Sequence, residues 1–464
     1  MQATTALGDA ERTRRGALAR ERVAALARAQ IDAVALTFVD NAGIARVKTV
    51  PLTGLEQAAA WGVGMSPVFD WFLVDDSIAP GGSPDGDLRL LPDLDRLTLL
   101  AGQPGWAWAP VDRYTQDGQP YPVCQRLFAR RMAERAAEAG LDVRMGFEVE
   151  WAVGTAAGSE MDGAFVPACH GPGYGMGRLV ELSDYTRAVH VALAAQALAV
   201  LQVHPEYAAG QFEVSVAPAG PVAAADAAVL VRETVRAVSA AHGLRASFAP
   251  VVLAGTVGNG GHVHFGLRRD GGNLLAGGDG RYGMTAEGES FLAGVLAELP
   301  ALVAVGAPTV ASHLRLVPSH WAGVFGCWGR ENREAALRFV TGSEGERDRT
   351  ANAEVKCFDP SANPYLVAGA VLAAGLATVD KGMRLPDEVT GDPASRADEL
   401  AGQGVHRLPQ SVPEALGRLE RSDAVRQAFG EPLYAAFTAT RQAEADLFAE
   451  STPDEIVAAT RWRY

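Results

Sequence analysis

The segment Met145-Gly-Phe-Glu-Val-Glu-Trp151 alternates polar and apolar residues with the period of a β-strand. Because successive strand side chains point to opposite faces, Glu148 and Glu150 share one face. Phe147 and Val149 share the opposite face, which we expect to be buried. The carboxylate face then holds two like charges side by side, where they repel each other. That face either lies in water or carries a cation, and the rest of the chain decides between these interpretations.

The composition is that of a globular protein with more than one domain. The 464 residues are 48% hydrophobic and 21% charged, with glycine and proline spread along the chain. The net charge is −14 and no basic stripe is interleaved with aromatic residues, which argues against a nucleic-acid-binding role. The 4 cysteines lie far apart without a CxxC pair, which predicts free thiols in a reducing compartment rather than disulfides or a zinc site.

No segment has the pattern of a signal peptide or a membrane span. The N-terminal residues carry both acidic and basic side chains and lack an apolar stretch. The longest apolar run, residues 188–203, is interrupted by His190, Gln196 and Gln202, and we expect a buried helix there. The sequence therefore predicts a cytoplasmic protein without a membrane segment.

Turn-rich segments divide the chain into a small β-rich domain, residues 1–115, and a larger domain, residues 116–464. The first is predicted to hold a charged helix followed by short strands, at residues 10–30, 34–40, 44–52, 88–91 and 97–101. The second is predicted to hold strands at residues 141–152, 245–252, 261–267, 323–328, 335–340 and 353–358, and helices at 124–139, 183–203, 222–242 and 285–299. Strands and helices that do not alternate strictly favour the α+β class.

Two further predicted strands carry polar pairs at the same two-residue spacing. His262 and His264 share one strand face, and neutral imidazoles bind divalent metals and donate to phosphates. A single histidine would more often be a satisfied core residue, whereas two on one face after a glycine run favour a site. Glu354 and Lys356 form the other pair, for which an exposed ion pair is the ordinary explanation.

The segment that follows the helix predicted over residues 183–203 adds more carboxylates. Glu206 and Glu213 lie on either side of Gly210, and a chain reversal there would bring both to one place. Together with Glu148 and Glu150 they form an acidic group with few basic partners in sequence. Carboxylate-rich sites suit Mg²⁺ or Mn²⁺ rather than zinc.

Arginines are the third class of residue in the predicted site, after carboxylates and histidines. Arg315, Arg333 and Arg338 lie in segments that otherwise have the composition of a core. Arginine suits bidentate contact with carboxylates and phosphates. Acidic metal ligands combined with arginines indicate a site for a metal–nucleotide and an anionic acceptor, and phosphoryl transfer is the natural reaction class. A Walker-type GxxxxGK[ST] loop is not present in the sequence.

Taken in order, the motifs resemble those of glutamine synthetase and its relatives. The matching segments are FEVEW, HPEYAAGQFEV, GNGGHVHFGL, RLVP, ENREAALR and EVKCFDPSANPYL. The similarity begins with TFVDNAGIARVK and GDLRLLPD near the N-terminus and covers nearly the whole chain. Ordered motifs at consistent spacing make this resemblance highly specific.

The resemblance implies an α+β protein with an N-terminal β-grasp domain. A larger catalytic domain follows, with a curved antiparallel sheet and surrounding helices. It also implies ATP and glutamate as substrates, two to three Mg²⁺ or Mn²⁺ ions per site, and a ring-shaped oligomer, usually a dodecamer. In such enzymes ATP converts glutamate into γ-glutamyl phosphate, and an amine then displaces phosphate.

The same resemblance assigns roles to individual residues. It places one metal ion with Glu150, Glu206 and Glu213, and another with Glu148, His262 and Glu354. His264 would face the nucleotide phosphates, Arg315 would bind the glutamate α-carboxylate, and Arg333 and Arg338 would contact the transferred phosphoryl group. By position, Asn352 belongs to the ATP end, and Gly258, Asn259 and Lys356 belong to the glutamate end.

The chain departs from glutamine synthetase at the position that handles ammonium. The family has a glutamate where this chain has Trp321, and a small cation needs an anionic cage to leave water. Lys356 and Asn352 stand where the family has arginines, and Val257-Gly258 stands where it has asparagine-glycine. No tyrosine lies between Pro386 and Leu408, so the adenylylation known in the family is not expected.

These departures predict a glutamate–amine ligase, in the branch that makes γ-glutamylamides and γ-glutamylpolyamines. A polyamine acceptor would need carboxylates, for which Asp70, Asp75 and Asp76 are candidates. A neutral or aromatic amine would instead contact the aromatic group His320, Trp321, Phe325 and Trp328. The alternatives are an authentic glutamine synthetase that uses ammonium, and a non-catalytic relative with a structural or regulatory role.

Overall fold

The computed structural model describes residues 6–155 and 165–464. Its strands form two sheets, one on each side of the predicted domain boundary. In the first, the order is β2-β1-β6-β4-β3, with β5 beside β6, and β1 runs parallel to β6. The strands of this sheet are β1 Ala33–Val39, β2 Ala45–Pro51, β3 Val63–Met65, β4 Leu88–Pro92, β5 Thr98–Leu99 and β6 Trp106–Thr115.

The second sheet carries the polar pairs. Its order is β13-β14-β15-β11-β7-β9-β8, with β10 beside β7 and β12 beside β11. The pairs are antiparallel except for β13 and β14, which are parallel. The strands are β7 Asp142–Thr155, β8 Val200–Pro205, β9 Gln211–Val216, β10 Leu244–Ser247, β11 Val263–Arg269, β12 Gly272–Asn273, β13 Phe325–Arg330, β14 Ala335–Val340 and β15 Asn352–Val355.

Helices cover one face of this sheet and build the main core. The longest buried ones are α6, α7 and α10, whose buried residues are mostly alanine, valine, leucine and glycine. The helices are α1 Asp9–Arg28, α2 Leu55–Trp61, α3 Gln125–Glu138, α4 Met176–Glu181, α5 Ser183–Ala195, α6 Pro221–Ala241, α7 Ala286–Gly306, α8 Val310–Arg315, α9 Arg347–Thr350, α10 Pro364–Leu376, α11 Ala397–Gly402, α12 Val412–Glu420, α13 Asp423–Phe429, α14 Glu431–Leu447 and α15 Pro453–Thr460.

One of these helices meets the length and hydropathy of a membrane span. Among the described residues, α7 passes that test, but 83% of its most apolar window is buried inside the protein. It packs against α10 and α12, so its apolar surface is already covered by protein.

The hairpin of β1 and β2 contacts the second domain through its turn. Gly43 has φ 83°, and a Cβ there would collide with the carbonyl oxygen of Ser361. The Asn363 side chain donates to the carbonyl oxygens of Val39 and Asp40, at 3.0 and 3.1 Å. The turn therefore needs glycine because the two domains approach closely at this point.

The structure differs from the sequence expectation in one long apolar run. The helix predicted over residues 183–203 ends at Ala195, and residues 200–205 form strand β8 instead. Ala197 has φ 59°, a left-handed conformation that ends a helix. The Gln196 side chain accepts from the Ala101 amide and donates to Thr234, which fixes the break. Apolar composition alone does not distinguish a helix from a strand, and here it also misses that most of β8 is not buried.

The other elements are shifted at their ends. The strand expected over 245–252 stops at Ser247, and the helix expected over 285–299 continues through Pro300 to Gly306. The predicted α+β class and the curved, mainly antiparallel sheet are confirmed. The exact domain boundary at residues 115 and 116 stays a prediction.

Candidate active site

A cavity of about 720 Å³ lies over the exposed face of the second sheet. It collects residues that are far apart in sequence but were predicted to act together. The predicted site residues that line it are Glu148, Glu150, Glu206, Glu213, Gly258, His262, Arg315, Trp321, Arg333, Arg338 and Lys356.

Strand register explains how these residues meet. Glu150 on β7 lies directly opposite Glu213 on β9, and Glu354 on β15 lies opposite both His264 and Arg338. Directly opposed strand residues have side chains on the same sheet face, about 5 Å apart. The polar residues of the separate motifs therefore form one continuous surface across neighbouring strands.

One group of possible metal ligands consists of Glu148, His264 and Glu354, whose ligand atoms lie within 4.8 Å of one another. The His264 Nδ1 lies 2.8 Å from the Asn352 side-chain oxygen, so Nδ1 carries the proton. Its Nε2 faces the Glu148 carboxylate at 3.2 Å. Burial opposes the charged imidazole, but Glu148 and Glu354 together raise the pKa of His264 to about 9. A proton therefore lies between Nε2 and Glu148 when no metal is bound, and a divalent cation would take the place of that proton.

His262 occupies the next position along the same face. Its Nδ1 lies 3.1 Å from the Lys356 carbonyl oxygen, while Nε2 faces Glu150 at 3.3 Å. Its Nδ1 is 4.0 Å from Glu354. Both histidines thus lie beside carboxylates, and their predicted division, with His262 at a metal and His264 at the nucleotide, stays a prediction.

A second group consists of His204, Glu206 and Glu213. Burial, followed by the charge of Glu150, raises the pKa of Glu206 to about 7. The hydrogen bond that His204 donates to Glu213 raises the pKa of His204 to about 9, despite burial. His204 was not predicted as a site residue, although its spacing of two residues from Glu206 was a usable signal.

The donor set of both groups fits hard divalent cations. Carboxylate oxygens dominate and no cysteine is within the two groups of described residues. The pKa of Glu206 is raised first because burial disfavours its charged form, and the negative charge of Glu150 adds to the rise. A bound Mg²⁺ or Mn²⁺ ion would supply a positive charge there and would draw in the phosphate oxygens of ATP.

A buried amide network holds Glu150 in place. Its Oε2 accepts from the Gly260 amide at 2.7 Å and from the Gln211 side chain at 2.9 Å. Gln211 also donates to the Gly258 carbonyl and the Asn259 side chain, at 3.0 and 3.1 Å. Asn259 is buried and holds this network rather than lining the cavity. At Gly258 a Cβ would collide with the Pro250 carbonyl, so only glycine fits.

Cationic side chains oppose the carboxylates from the other wall. Burial alone would raise the pKa of Glu354, but the positive charges around it, with Lys356 the largest, hold that pKa well below its usual range. Lys356 Nζ and Arg338 Nη1 each lie 3.0 Å from a Glu354 oxygen. Arg333 is exposed on the cavity wall. Arg315 is buried, and its Nη1 has no hydrogen-bond partner among the described residues, as expected of an anion-binding group.

Aromatic rings form the remaining wall. The rings of Tyr207 and Trp321 lie 5.0 Å apart, and Tyr174 stacks on His204 at 5.6 Å. His320 also lines the cavity. Arg178, which is buried, supports this wall by donating to the carbonyl oxygens of Gly171, Glu206, Tyr207 and Ala208.

Two members of the predicted aromatic group belong elsewhere. Phe325 and Trp328 are buried in the main core, and the Trp328 indole donates to the Pro386 carbonyl at 3.0 Å. Neither ring lines the cavity. Both residues lie on β13 with side chains that stabilise the fold, which corrects their assignment to an amine pocket.

Asp70, like Asn259, was predicted to bind substrate and does not line the cavity. It is fully buried, and its two oxygens accept from Arg113 at 2.8 Å each. Gln125 donates to the same carboxylate at 3.1 Å. Asp76 lies 2.7 Å from Arg46. An aspartate so fully engaged is structural, which corrects its assignment to polyamine binding.

We expect Asp70→Ala to destabilise the protein by about 3–5 kcal/mol, because Arg113 would be left buried without a counter-charge. Urea unfolding measures the loss, and Asp75→Ala is the control because Asp75 is exposed. A normally stable Asp70→Ala protein with a raised KM for its amine would restore the substrate-binding assignment.

Comparison with known proteins agrees with this geometry. Residues 122–458 match the family model of the glutamine synthetase catalytic domain. The chain is 59% identical to gamma-glutamylpolyamine synthetase GlnA3 of Streptomyces coelicolor over 91% of both chains. It is 31% identical to the glutamine synthetase of Pyrococcus horikoshii, over 90% of this chain and 92% of that one.

Comparison with solved structures agrees with the sequence comparison. A novel glutamine synthase homolog superimposes with a TM-score of 0.83 and 32% identity, covering 94% of this chain and 99% of that one. The ADP complex of GmaS superimposes with a TM-score of 0.82 and 26% identity, covering 93% and 97%. The predicted resemblance, including its amine-ligase branch, is confirmed. The chain belongs to the glutamine synthetase family.

Proposed function

We propose that this protein joins the γ-carboxylate of glutamate to a polyamine in an ATP-dependent reaction that releases ADP and phosphate. The observation that carries the proposal is the combination of Glu148, Glu150, Glu206 and Glu213 with Trp321 in one cavity. The carboxylates and arginines suit phosphoryl transfer to a carboxylate. The aromatic wall suits an acceptor larger than ammonia, and the similarity to a polyamine synthetase supports a polyamine.

A carboxylate is a poor electrophile, so the first requirement is its activation as γ-glutamyl phosphate. We propose that Arg315 binds the α-carboxylate of glutamate, and its buried Nη1, which has no hydrogen-bond partner among the described residues, supports this role. Arg333 and Arg338 line the same cavity and neutralise charge on the transferred phosphoryl group. Divalent ions held by the carboxylates would, when bound, align and neutralise the ATP phosphates.

The second requirement is an amine that reaches the acyl phosphate before water does. Tyr207 and Trp321 form an aromatic wall with both rings partly exposed to the cavity. Aromatic faces attract alkylammonium groups and cover their methylene chains. A polyamine gains from both contacts, whereas ammonium gains little without a carboxylate at position 321.

Further parts of the proposal follow from family membership. We propose two to three Mg²⁺ or Mn²⁺ ions per site, a ring-shaped dodecamer and a cytoplasmic location. The retained carboxylates and histidines favour an active enzyme over a non-catalytic relative. The numbers of ions and subunits can be measured by metal analysis and by light scattering.

An amine panel tests the proposed acceptor. Purified protein receives ATP, Mg²⁺ and glutamate with ammonium, ethanolamine, putrescine, spermidine or aniline, and phosphate release is recorded. We expect the highest kcat/KM with putrescine or spermidine. Turnover with ammonium but with none of the organic amines would favour the authentic glutamine synthetase. A protein that neither turns over any amine nor binds ATP would favour the non-catalytic relative.

Removal of divalent ions should lower both activity and stability. After chelation, the mutual repulsion of Glu150, Glu206 and Glu213 is no longer offset, so the melting temperature should fall. Adding Mg²⁺ at one hundred times its Kd should restore about 2.7 kcal/mol. Calorimetry with and without Mg²⁺ or Mn²⁺ measures the effect, and Glu150→Gln should show a smaller gain. An unchanged melting temperature with either ion contradicts the metal assignment.

A further inference from the structure

Glu334 lies in the turn immediately before β14, next in sequence to Arg333, which lines the cavity. Its carboxylate contacts the backbone of Trp321, and Trp321 and His320 line the same cavity. Glu334 therefore lies beside the part of the cavity wall that Trp321 forms.

The Glu334 carboxylate contacts Trp321 directly. Its Oε1 accepts from the Trp321 backbone amide at 2.8 Å. Ser319, in the same loop, donates to Asp392 at 2.7 Å. Ser319 and Trp321 have φ of 60° and 55°, left-handed conformations that cost about 1–2 kcal/mol each for residues other than glycine. Acidic side chains on neighbouring segments thus hold a strained loop that carries the indole.

The second oxygen of Glu334 is free for a ligand. Among residues 6–155 and 165–464, no hydrogen bond reaches Oε2 and no ion pair includes Glu334. Burial raises the pKa of Glu334, Asp392 adds to the rise, and Lys356 and His320 reduce it without forming a contact ion pair. A half-buried carboxylate without a cationic partner gains from binding one.

We propose that Glu334 and Trp321 together form the subsite for the primary ammonium group of the amine substrate. Oε1 holds the Trp321 backbone, Oε2 accepts an N–H from the alkylammonium group, and the indole covers the adjacent methylenes. The family has a glutamate where this chain has Trp321, so the loop lacks that negative charge. In this proposal Glu334, next to β14, supplies it instead. This inference rests on the proposed function, since it names the part of the cavity that receives the amine.

Two substitutions of Glu334 separate the effect of its charge from its support of the Trp321 loop. Glu334→Gln keeps an acceptor oxygen for the Trp321 amide but loses the charge, whereas Glu334→Ala loses both. We expect Glu334→Gln to raise the KM for putrescine at least tenfold, with the KM for glutamate and for ATP unchanged. Glu344→Gln is the matched control, because Glu344 is an exposed glutamate outside the cavity.

The result that overturns the proposal is a Glu334→Gln enzyme with the wild-type KM for putrescine. If only Glu334→Ala is impaired, and for all substrates, Glu334 acts solely as a support for the loop. Titration calorimetry of putrescine into the enzyme with Mg²⁺ and ADP gives the same comparison without turnover. Wild-type protein that binds putrescine through Glu334 but does not ligate it would refute the proposed function and retain the subsite.

Discussion

Glu150→Ala is expected to abolish glutamate activation, with a loss of at least about a hundredfold in kcat. Glu150 lies opposite Glu213, and its Oε1 is 3.3 Å from His262. Loss of its charge would remove a proposed metal ligand and so weaken the proposed hold on the ATP phosphates. Trapping of γ-glutamyl phosphate with hydroxylamine measures the step directly, without the amine.

Companion variants separate chemistry from folding. Glu150→Ala also leaves the Gly260 amide and the Gln211 side chain without an acceptor, at a cost of about 1–3 kcal/mol. Glu150→Gln keeps an acceptor oxygen and should fold normally while remaining inactive. Glu138→Ala, at an exposed helix position, is the control.

Glu148→Ala is expected to be equally inactive, since Glu148 lies within 4.8 Å of His264 and Glu354 in the first carboxylate group. The backbone of β7 does not depend on this side chain, so the melting temperature without metal should stay close to that of the wild type. Normal activity of either the Glu148 or the Glu150 variant would show that its metal role is wrong.

Trp321→Glu is expected to change the ratio of ammonium to polyamine turnover at least tenfold in favour of ammonium. The indole is 44% exposed and packs on Tyr207, so its replacement leaves no hole in the core. The new carboxylate would lie beside Glu334 and create an anionic pair that favours a small cation. The aromatic contact with the polyamine would be lost at the same time.

The measurement is kcat/KM for ammonium and for putrescine, determined on the same preparation. Trp321→Phe is the control, because it keeps an aromatic face and the same backbone requirement at φ 55°. It should retain the wild-type preference with a modest loss of affinity. An unchanged ratio in Trp321→Glu would mean that the indole does not select the amine.

Some of the site followed directly from local spacing. Glu148 and Glu150 share a face because strand side chains alternate, and the structure buries Phe147 and Val149 on the other side. Gly210 has φ 71°, which reverses the chain between Glu206 and Glu213 as expected. These features depend on residues close in sequence, so the pattern itself contains the information.

Other features depend on partners far along the chain. The prediction that Asp70 binds the substrate is wrong because Asp70 pairs with Arg113, which lies 43 residues later. Nothing near Asp70 in the sequence indicates this partner. Glu334 gave no signal either, because its contact with Trp321 spans 13 residues and a strained loop. Residues 196–200 leave the helical path because Gln196 binds Ala101 in a turn and Thr234 on α6.

The sequence by itself determined the α+β class, the family and the residue types of the carboxylate and arginine groups, because alternation and ordered motifs are local properties. Only the tertiary structure decided which carboxylates face the cavity, which are neutralised inside the fold, and which one lies beside Trp321. The physical reason is that the charge state and role of a carboxylate depend on its neighbours in space. The register of β7, β9, β11 and β15 brings those neighbours together from segments more than two hundred residues apart.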